Sequence, residues 1–465
     1  MKKTIYLQQK TPMWHFQSEM PGCCLRATEV KPKLDRFLLS KFPNDENLVK
    51  IGKTNALDYK LSFEVVGSAA PQYIVKDKNF PLFFANMGNK TEPKALIFYE
   101  GKIAMNIFSL NDELLELILE NLKDFFATHS FGTRQDKGFG YFFPEDGNFD
   151  EAYGAKYKFS IIKDIPQGTQ PDYEDIFKYI EYFHKLIRSG ININGVYYKS
   201  LMYHYAKSLR LQWDKPSIRH HFQLTNKVYK SICARPPYDT GDIYSYVQST
   251  RNGNKTISYK NRTSMAREYE ECERNKSTHN DKFLFRDALG LASVQEWRAY
   301  GDTISIEADN DDFVRFKSPI NYRPCINIYK DSIELIVYIH FDESGLAKLK
   351  EQNFTIHSSR HQNSMHSMEV YENFSLENYF AFIEQFYKQC REENKKINQT
   401  LIEDNRNGGG YNRNGGYNRN GGYNRNGGGY NNRNNMHNAD VRMTPADYID
   451  AIFNPKRRNF TKIEE

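Results

Sequence analysis

Hydrophobic and polar positions divide the chain into two blocks of mixed periodicity followed by a polar tail. Thr4 to Gln9 alternates with period two, which predicts a first strand. The chain then passes through Thr11-Pro12-Met13-Trp14-His15-Phe16 and Pro21-Gly22 into a short helix ending near Leu39. Leu61 to Val66, Ala95 to Tyr99 and Lys102 to Phe108 read as strands, the last two joined as a hairpin through Glu100-Gly101. Ser109 is the expected N-cap of the clearest helix, with Asp112 three residues on. Leu114, Leu115, Leu117, Ile118, Leu122, Phe125 and Phe126 form its apolar stripe. Phe131 to Phe143 is a glycine-punctuated basic loop running into an aromatic strand. The order strand, helix, strands, helix, strand suits a split βαβ, a ferredoxin-like or RRM-like domain.

The pattern restarts at Tyr157 to Ile162. A helix from Asp172 to Arg188 carries Ile176, Tyr179, Ile180, Phe183 and Ile187 on one face; Gly195 to Lys199 and a basic helical region from Ser200 to Lys230 follow. About Arg235 to Lys282 reads as a long polar insertion loop with one helix near Ser264 to Arg274. Order resumes at Phe283 in a β-rich block with strands Asp302 to Glu307 and Ser332 to Phe341, and Ser375 caps a helix running to about Lys396. The expected fold class is α+β, with two tandem ferredoxin-like units at 1–160 and 161–400, the second carrying the insertion at 235–282. Asn405 to Asn435 repeats Asn-Arg-Asn-Gly-Gly-Tyr, and such composition cannot bury enough apolar area to order itself, so 401–442 is expected to be a disordered linker. In 443–465, Thr444 and Pro445 open a short helix expected to dock on a partner through Ile449, Ile452 and Phe453.

A chain of 465 residues exceeds what one compact domain holds, which agrees with two units. No run approaches the ~18 apolar residues of a membrane span, and Met1 to Lys10 has no apolar segment after its lysines. These features argue against secretion and membrane insertion and for the cytoplasm. Cys23, Cys24, Cys233, Cys272, Cys325 and Cys390 form no CxxC pair and have no His at ligand spacing, so neither a zinc site nor a disulfide framework is indicated, and no cofactor is expected. The net charge of +6 is too mild to specify a nucleic-acid partner, so the placement of the charge matters more.

That placement is uneven. The glycines of the Gly132 to Gly140 loop, Gly132, Gly138 and Gly140, would let backbone N–H groups approach a phosphate, with Arg134 and Lys137 supplying charge. A solvated tight turn is the plainer reading of the same loop. A second basic group, Arg26, Lys31, Lys33 and Arg36, lies on the first helix. A third, Lys199, Lys207, Arg210, Lys215 and Arg219, is interleaved with Tyr203, Tyr205 and Trp213. Each group alone describes a solvated face; together they point to single-stranded RNA, whose bases stack on rings while its phosphates pair with cations. Arg406, Arg413, Arg419, Arg425 and Arg433, with Tyr411, Tyr417, Tyr423 and Tyr430, could add sequence-tolerant contacts or serve as a spacer. For catalysis, His15 and His129 are candidates for metal-independent RNA cleavage and Asp35 for an acidic step; each also has an ordinary structural reading. No P-loop, zincin motif, serine elbow or carboxylate metal cluster is present.

Several segments resemble a known family. Thr11-Pro12-Met13-Trp14, Leu25-Arg26-Ala27-Thr28-Glu29-Val30-Lys31 and the Gly132 to Gly140 loop resemble the RAMP superfamily of CRISPR-associated RNA-binding proteins, the last its glycine-rich loop. Asp287-Ala288-Leu289-Gly290-Leu291 and Arg315-Phe316-Lys317-Ser318-Pro319-Ile320 resemble segments of RAMP subunits in type III effectors. Two such units over about residues 1–400 look most like the two-domain RAMP subunit of type III-B (Cmr) complexes. Cys23-Cys24, the long insertion and the Arg-Gly-Tyr tail depart from the family pattern. The resemblance implies an RNA-binding subunit in antiviral defence, whose partners are guide or target RNA and other CRISPR subunits. Arg26, Lys31, Arg134 and Lys137 would contact RNA, Arg315 with Ser318 would shape the second unit's loop, and cleavage would fall to other subunits. The alternatives are a metal-independent endoribonuclease of the guide-processing RAMP type using His15 or His129, and an assembly protein that binds RNA through its tail.

Overall fold

The structure is a computed structural model that describes residues 1–13, 25–67, 72–74, 96–145, 152–164, 173–193, 196–214, 218, 221–222, 243–251, 254–261, 282–291, 295–299, 302–310, 313, 315–392, 452 and 460–463. The first unit runs β1 (Lys2–Gln9), α1 (Ala27–Lys41), β2 (Lys60–Val66), β3 (Gln72–Ile74), β4 (Leu96–Phe98), β5 (Lys102–Phe108), α2 (Asp112–Thr128) and β6 (Phe142–Pro144). Its main sheet has the antiparallel order β2-β5-β1-β6. Ile103, Met105 and Ile107 of the central β5 alternate inward and pack with Leu7 against Val30, Leu34 and Leu38 of α1 and Leu114, Ile118, Leu122 and Phe125 of α2.

Two local expectations change. The strands on either side of Glu100-Gly101 do not form a hairpin: β5 inserts between β1 and β2, while β4 pairs with β3. A strand as apolar as β5 gains more at the centre of a sheet than in a two-stranded ribbon. The N-cap of α2 is Asn111, whose side chain accepts from the Leu114 amide at 2.9 Å, and Ser109 braces that cap by accepting from the Asn111 amide.

The second unit begins with β7 (Tyr157–Asp164) and α3 (Tyr173–Arg188), then β8 (Ile191–Ile193), β9 (Val196–Tyr198), α4 (Leu201–Ser208) and β10 (Gln212–Trp213). It continues with β11 (Ile243–Arg251), β12 (Asn254–Asn261), β13 (Lys282–Phe283), β14 (Gln295–Ala299), β15 (Asp302–Ala308), β16 (Ile320–Ile328), β17 (Ser332–Phe341), β18 (Asn353–Ser358), β19 (His366–Glu369), the helix Leu376–Glu392 and β20 (Phe460–Lys462). Its main sheet is β16-β17-β7-β20, and a second antiparallel sheet is β14-β15-β18-β19. Within the expected insertion loop, β11 and β12 pair as an antiparallel ribbon; the helix expected at 264–274 lies outside the described residues. In the basic region from Ser200, α4 ends at Ser208 and β10 follows, and among the described residues beyond it Asp214, Ile218 and His221 are helical again.

The chain's end corrects another expectation. Ile452 is fully buried in the second unit's own core, so it is not available to a partner; Ile449 and Phe453 lie outside the described residues. Phe460 is also buried there, stacked on Tyr157 at 5.6 Å, and β20 pairs with β7 as the edge strand of the main sheet. Residues past the Asn-Arg-Asn-Gly-Gly-Tyr repeat therefore return to complete the unit that precedes it.

The two units share buried contacts. Leu96 and Phe139 of the first lie in the core of the second, and Tyr141 and Phe143 cluster with Cys325 and Tyr338. Replacing Phe460 with Ala should lower the unfolding free energy by about 3 kcal/mol, the usual cost of deleting a buried ring. Chemical denaturation of the full chain measures it, and an unchanged midpoint would contradict the placement of β20.

Candidate nucleic-acid interface

The glycine-rich loop lies where the two units meet. Phe131 donates its amide to the Gly140 carbonyl and Gly140 donates to the Pro12 carbonyl, both at 2.9 Å. The Thr11 hydroxyl donates to the Gly138 carbonyl at 2.8 Å and accepts from the Tyr141 amide at 3.0 Å. A Cβ on Gly140, whose φ is +64°, would stand 1.8 Å from the Phe131 carbonyl oxygen. One on Gly138 would stand 2.9 Å from Pro324 of β16. Phe139 stacks on Phe177 of α3 at 3.7 Å. Gly138 thus serves close packing between the units, and Gly140 close backbone packing within the first. Gly138 and Gly140 are buried, and the Gly132 amide is engaged by Glu29 at 2.8 Å, so this backbone does not present the phosphate cradle expected from the sequence.

Lys137 is likewise turned inward. Its ammonium lies 3.2 Å from the Asp136 carboxylate and 3.3 Å from His184 Nε2, and His184 Nδ1 lies 3.0 Å from the Tyr322 hydroxyl. Because an ammonium can only donate, Nε2 is the acceptor and Nδ1 carries the proton toward Tyr322. Burial, reinforced by Lys137 and Arg188, holds the His184 ring neutral, far below its ordinary pKa. Burial lowers the Lys137 pKa and Asp136 opposes that shift. Burial pushes the Asp136 carboxyl up, but Lys137 and Lys317 outweigh it and leave it below the usual carboxylate range. Lys137 is thus a buried ion-pair partner and, unlike the sequence expectation, does not present its charge at the surface.

Arg323 of β16 crosses the boundary. Its guanidinium donates to the Thr128 carbonyl at the C-terminal end of α2, at 2.6 Å, and lies 3.5 Å from the Gln135 carbonyl. The last turn of α2 carries no cation of its own, so Arg323 supplies the positive charge that the negative end of the helix favours. Burial lowers its pKa to about 10, opposed by Tyr141 and Asp136, which leaves it charged at neutral pH.

Around this pin the surface is basic. Arg134 sits in the left-handed region with φ of 60°, half-buried, and the field of Arg315 reaches it. Lys33 donates to Glu29, the Ser130 carbonyl and Gln135, and its pKa is lowered by burial and by the charges of Lys317 and Arg323. Arg315 and Lys317 are exposed on either side of buried Phe316, which pairs with Leu291. Gly290 packs against the Ser318 backbone, and the buried Ser318 hydroxyl accepts from the Ile320 amide at 3.3 Å. Ser318 therefore shapes the loop, while Arg315 and Lys317 present charge. Neither makes an ion pair among the described residues. Lys33, Arg134, Arg315 and Lys317 thus form one cationic surface drawn from both units. Glu29 and Asp136 lie within it, already engaged by Lys33 and Lys137.

Other candidates lie elsewhere. Lys31 is held by Asp35 and the Leu57 carbonyl, both at 2.8 Å, over the Tyr59 ring. Asp35 is buried and also accepts from the Leu57 amide, which makes it a tie between α1 and the approach to β2, not an exposed acid. Arg26 is half-buried at the N-cap of α1, and Arg36 is exposed on the same helix. Lys199 contacts the Tyr203 hydroxyl at 2.9 Å, while Lys207 and Arg210 are exposed at the end of α4. His129 stacks on Phe125 at 4.6 Å with Nδ1 on the Phe125 carbonyl. Burial lowers its pKa to about 4, so the ring is neutral and poorly matched to acid-base work near pH 7. His15, Lys215, Arg219, Arg406, Arg413, Arg419 and Arg425 lie outside the described residues. Sequence reading passed over Lys317 and Arg323. The alternation of Arg315 and Lys317 about an apolar Phe316 was the available signal for the first; a single charged residue in the Ile320–Ile328 strand was the signal for the second. Among the described residues no His, Cys, Asp or Glu group is arranged to hold a metal ion, and no helix is long and apolar enough to cross a membrane.

Comparison with known proteins finds one family in two consecutive parts of the chain. Residues 1–191 match the family model of the Cmr1 N-terminal domain and residues 197–405 that of the Cmr1 C-terminal domain. The crystal structure of Cmr1 from Pyrococcus furiosus in its apo form aligns at 12% identity over 74% of this chain and 88% of that chain, with a TM-score of 0.27. No curated protein matches the sequence.

Replacing Arg323 with Met should cost about 2–3 kcal/mol, because it leaves the α2 carbonyls without their charged donor. Equal denaturation midpoints for variant and parent would contradict the pin. Burial lowers the pKa of His129 and His204 to about 4 and of His340 to about 3, against 6.5 for the free ring. As pH falls below 6.5 the unfolded chain takes up these protons first, so stability is complete above that pH and is lost progressively toward pH 4. Each ring adds up to about 1.4 kcal/mol per pH unit. Denaturation midpoints should drop between pH 7 and pH 4.5, and His340→Gln should flatten the drop; a pH-independent midpoint would contradict the buried neutral rings.

Proposed function

The chain belongs to the Cmr1 family, which implies a subunit of a type III-B CRISPR effector complex, and from that premise we propose that it binds guide or target RNA across the junction of its two units. The observation that carries the reading is the convergence of Arg134 and Lys33 from the first unit with exposed Arg315 and Lys317 from the second. Three cations on a joint between packed units, with Lys33 beside them paired to Glu29, suit the regular spacing of phosphates along a backbone. The antiparallel order of each main sheet, with the first strand inside and the last at the edge, supports ferredoxin-like units. The role is binding and not catalysis: His129 is neutral and engaged by its own helix, and Asp35 is buried in an ion pair. Cleavage would belong to neighbouring subunits in the cytoplasmic complex. Arg406, Arg413, Arg419 and Arg425 of the repeat add sequence-tolerant contacts that raise affinity without choosing register.

Titration of a labelled single-stranded RNA against the full chain at several salt concentrations tests this. Arg134→Ala with Arg315→Ala and Lys317→Ala should weaken binding and reduce the slope of log affinity against log salt by about 2, at roughly 0.7 per lost phosphate contact. Unchanged affinity and slope would overturn the reading. Site-specific cleavage in chelator, abolished by His129→Ala, would replace binding with catalysis.

A further inference from the structure

The helices α1 and α2 cover only one face of the first sheet. The pairing register sets Lys2, Thr4, Tyr6 and Gln8 of β1 on the opposite face, level with Phe108, Asn106, Ala104 and Lys102 of β5 and with Lys60, Ser62, Glu64 and Val66 of β2. On this face Tyr6 is 45% exposed and Phe108 41% exposed, each on one of the two central strands. A single exposed ring is ordinary. Here the rings stand four residues apart along the sheet, about 13 Å, and the row between them is the exposed hydrogen-bonded pair Thr4 and Asn106, 2.8 Å apart.

We propose that this open face is a second binding surface for single-stranded RNA, with bases stacked on Tyr6 and Phe108 and the Thr4–Asn106 pair meeting the base edges between them. Sheets that read single strands use rings on central strands in this way, each platform taking two or three bases. The charges suit such an occupant. Lys2 and Lys60 flank Phe108 in its own row, and the Lys102 ammonium lies 5.9 Å from the Tyr6 ring centre. Three carboxylates share the neighbourhood: Glu145 is paired with Lys102 at 2.7 Å, Glu64 stands in the Tyr6 row, and Asp112, beyond Phe108, lies 3.7 Å from the Met1 ammonium. Phosphates are therefore best accommodated at the Phe108 end. Met1 and Leu110, 54% and 85% exposed, form an apolar rim there that would also suit a protein; the lysine pair and the polar row favour the nucleic acid. The inference rests on the proposed RNA binding for the class of ligand but names a surface apart from the cationic junction.

The test uses the full chain, a 5-iodouridine-substituted single-stranded RNA for photo-crosslinking, and two surface variants, Tyr6→Ala with Phe108→Ala and Tyr6→Leu with Phe108→Leu. The second keeps apolar strand residues while removing the rings. Crosslinks to Tyr6 or Phe108 are expected, with a loss of about tenfold or more in affinity in both variants, as base stacking on aromatic side chains predicts. The salt slope should stay near that of the parent, because no phosphate contact is removed. Parent-like binding by both variants, with crosslinks confined to 131–140 and 315–318, would overturn the sheet-face proposal and leave the junction reading standing. Ring crosslinks with an unaffected Arg134/Arg315/Lys317 variant would support the sheet face and sink the junction. Parent-like RNA binding with failure to assemble with other subunits would make the face a protein interface and overturn the proposal.

Discussion

The arrangement depends on a guanidinium from the second unit closing the C-terminal end of a helix in the first. α2 ends without a cation in its last turn, and Arg323 reaches its terminal Thr128 carbonyl from β16. A buried cation is costly unless its donors are used, so the contact holds only while the two units keep one relative placement. That makes the junction an element of the fold and gives both neighbouring loops a common frame.

The glycine-rich loop extends the same constraint. β16 is an edge strand of its sheet and carries Pro324 opposite Val337, a position where the missing amide is tolerated. Gly138 lies against that proline, Phe139 stacks on α3, and the loop covers an edge that would otherwise be open to other chains. The tight passage buries Lys137 with Asp136 and leaves Arg134 in a left-handed turn toward Arg315. In the second unit, Phe316 and Ser318 are held inward by Leu291 and Gly290, which leaves Arg315 and Lys317 outside. The cationic surface is the outer side of contacts made for packing.

Much of this was legible because it is local. Alternation located β1, β2, β5 and β17, the apolar stripes located α2 and α3, and the order of elements suggested two α+β units. The glycine loop stood out by composition and the Arg315 segment by its resemblance to the family, and the field of Arg315 reaches Arg134. What could not be read was which cation faces water. Arg134 and Lys137 lie three residues apart in one loop, and only the packing of α3 and β16 sends one inward. Lys31 and Asp35 likewise satisfy each other on α1, as an i, i+4 pair can. β20 was hidden for another reason: three residues carry almost no periodic signal, and its strand character comes from β7, hundreds of residues earlier in the chain. Of the residues read as docking on a partner, Ile452 docks on the chain itself.

The central claim is that loops from both units form one RNA-binding surface, and hydrogen–deuterium exchange of the full chain with and without single-stranded RNA tests it most directly. The account predicts that RNA slows exchange in 131–136 and 313–318 together, over the same range of RNA concentration. Protection confined to one of these segments, or found only in 405–435, would contradict it.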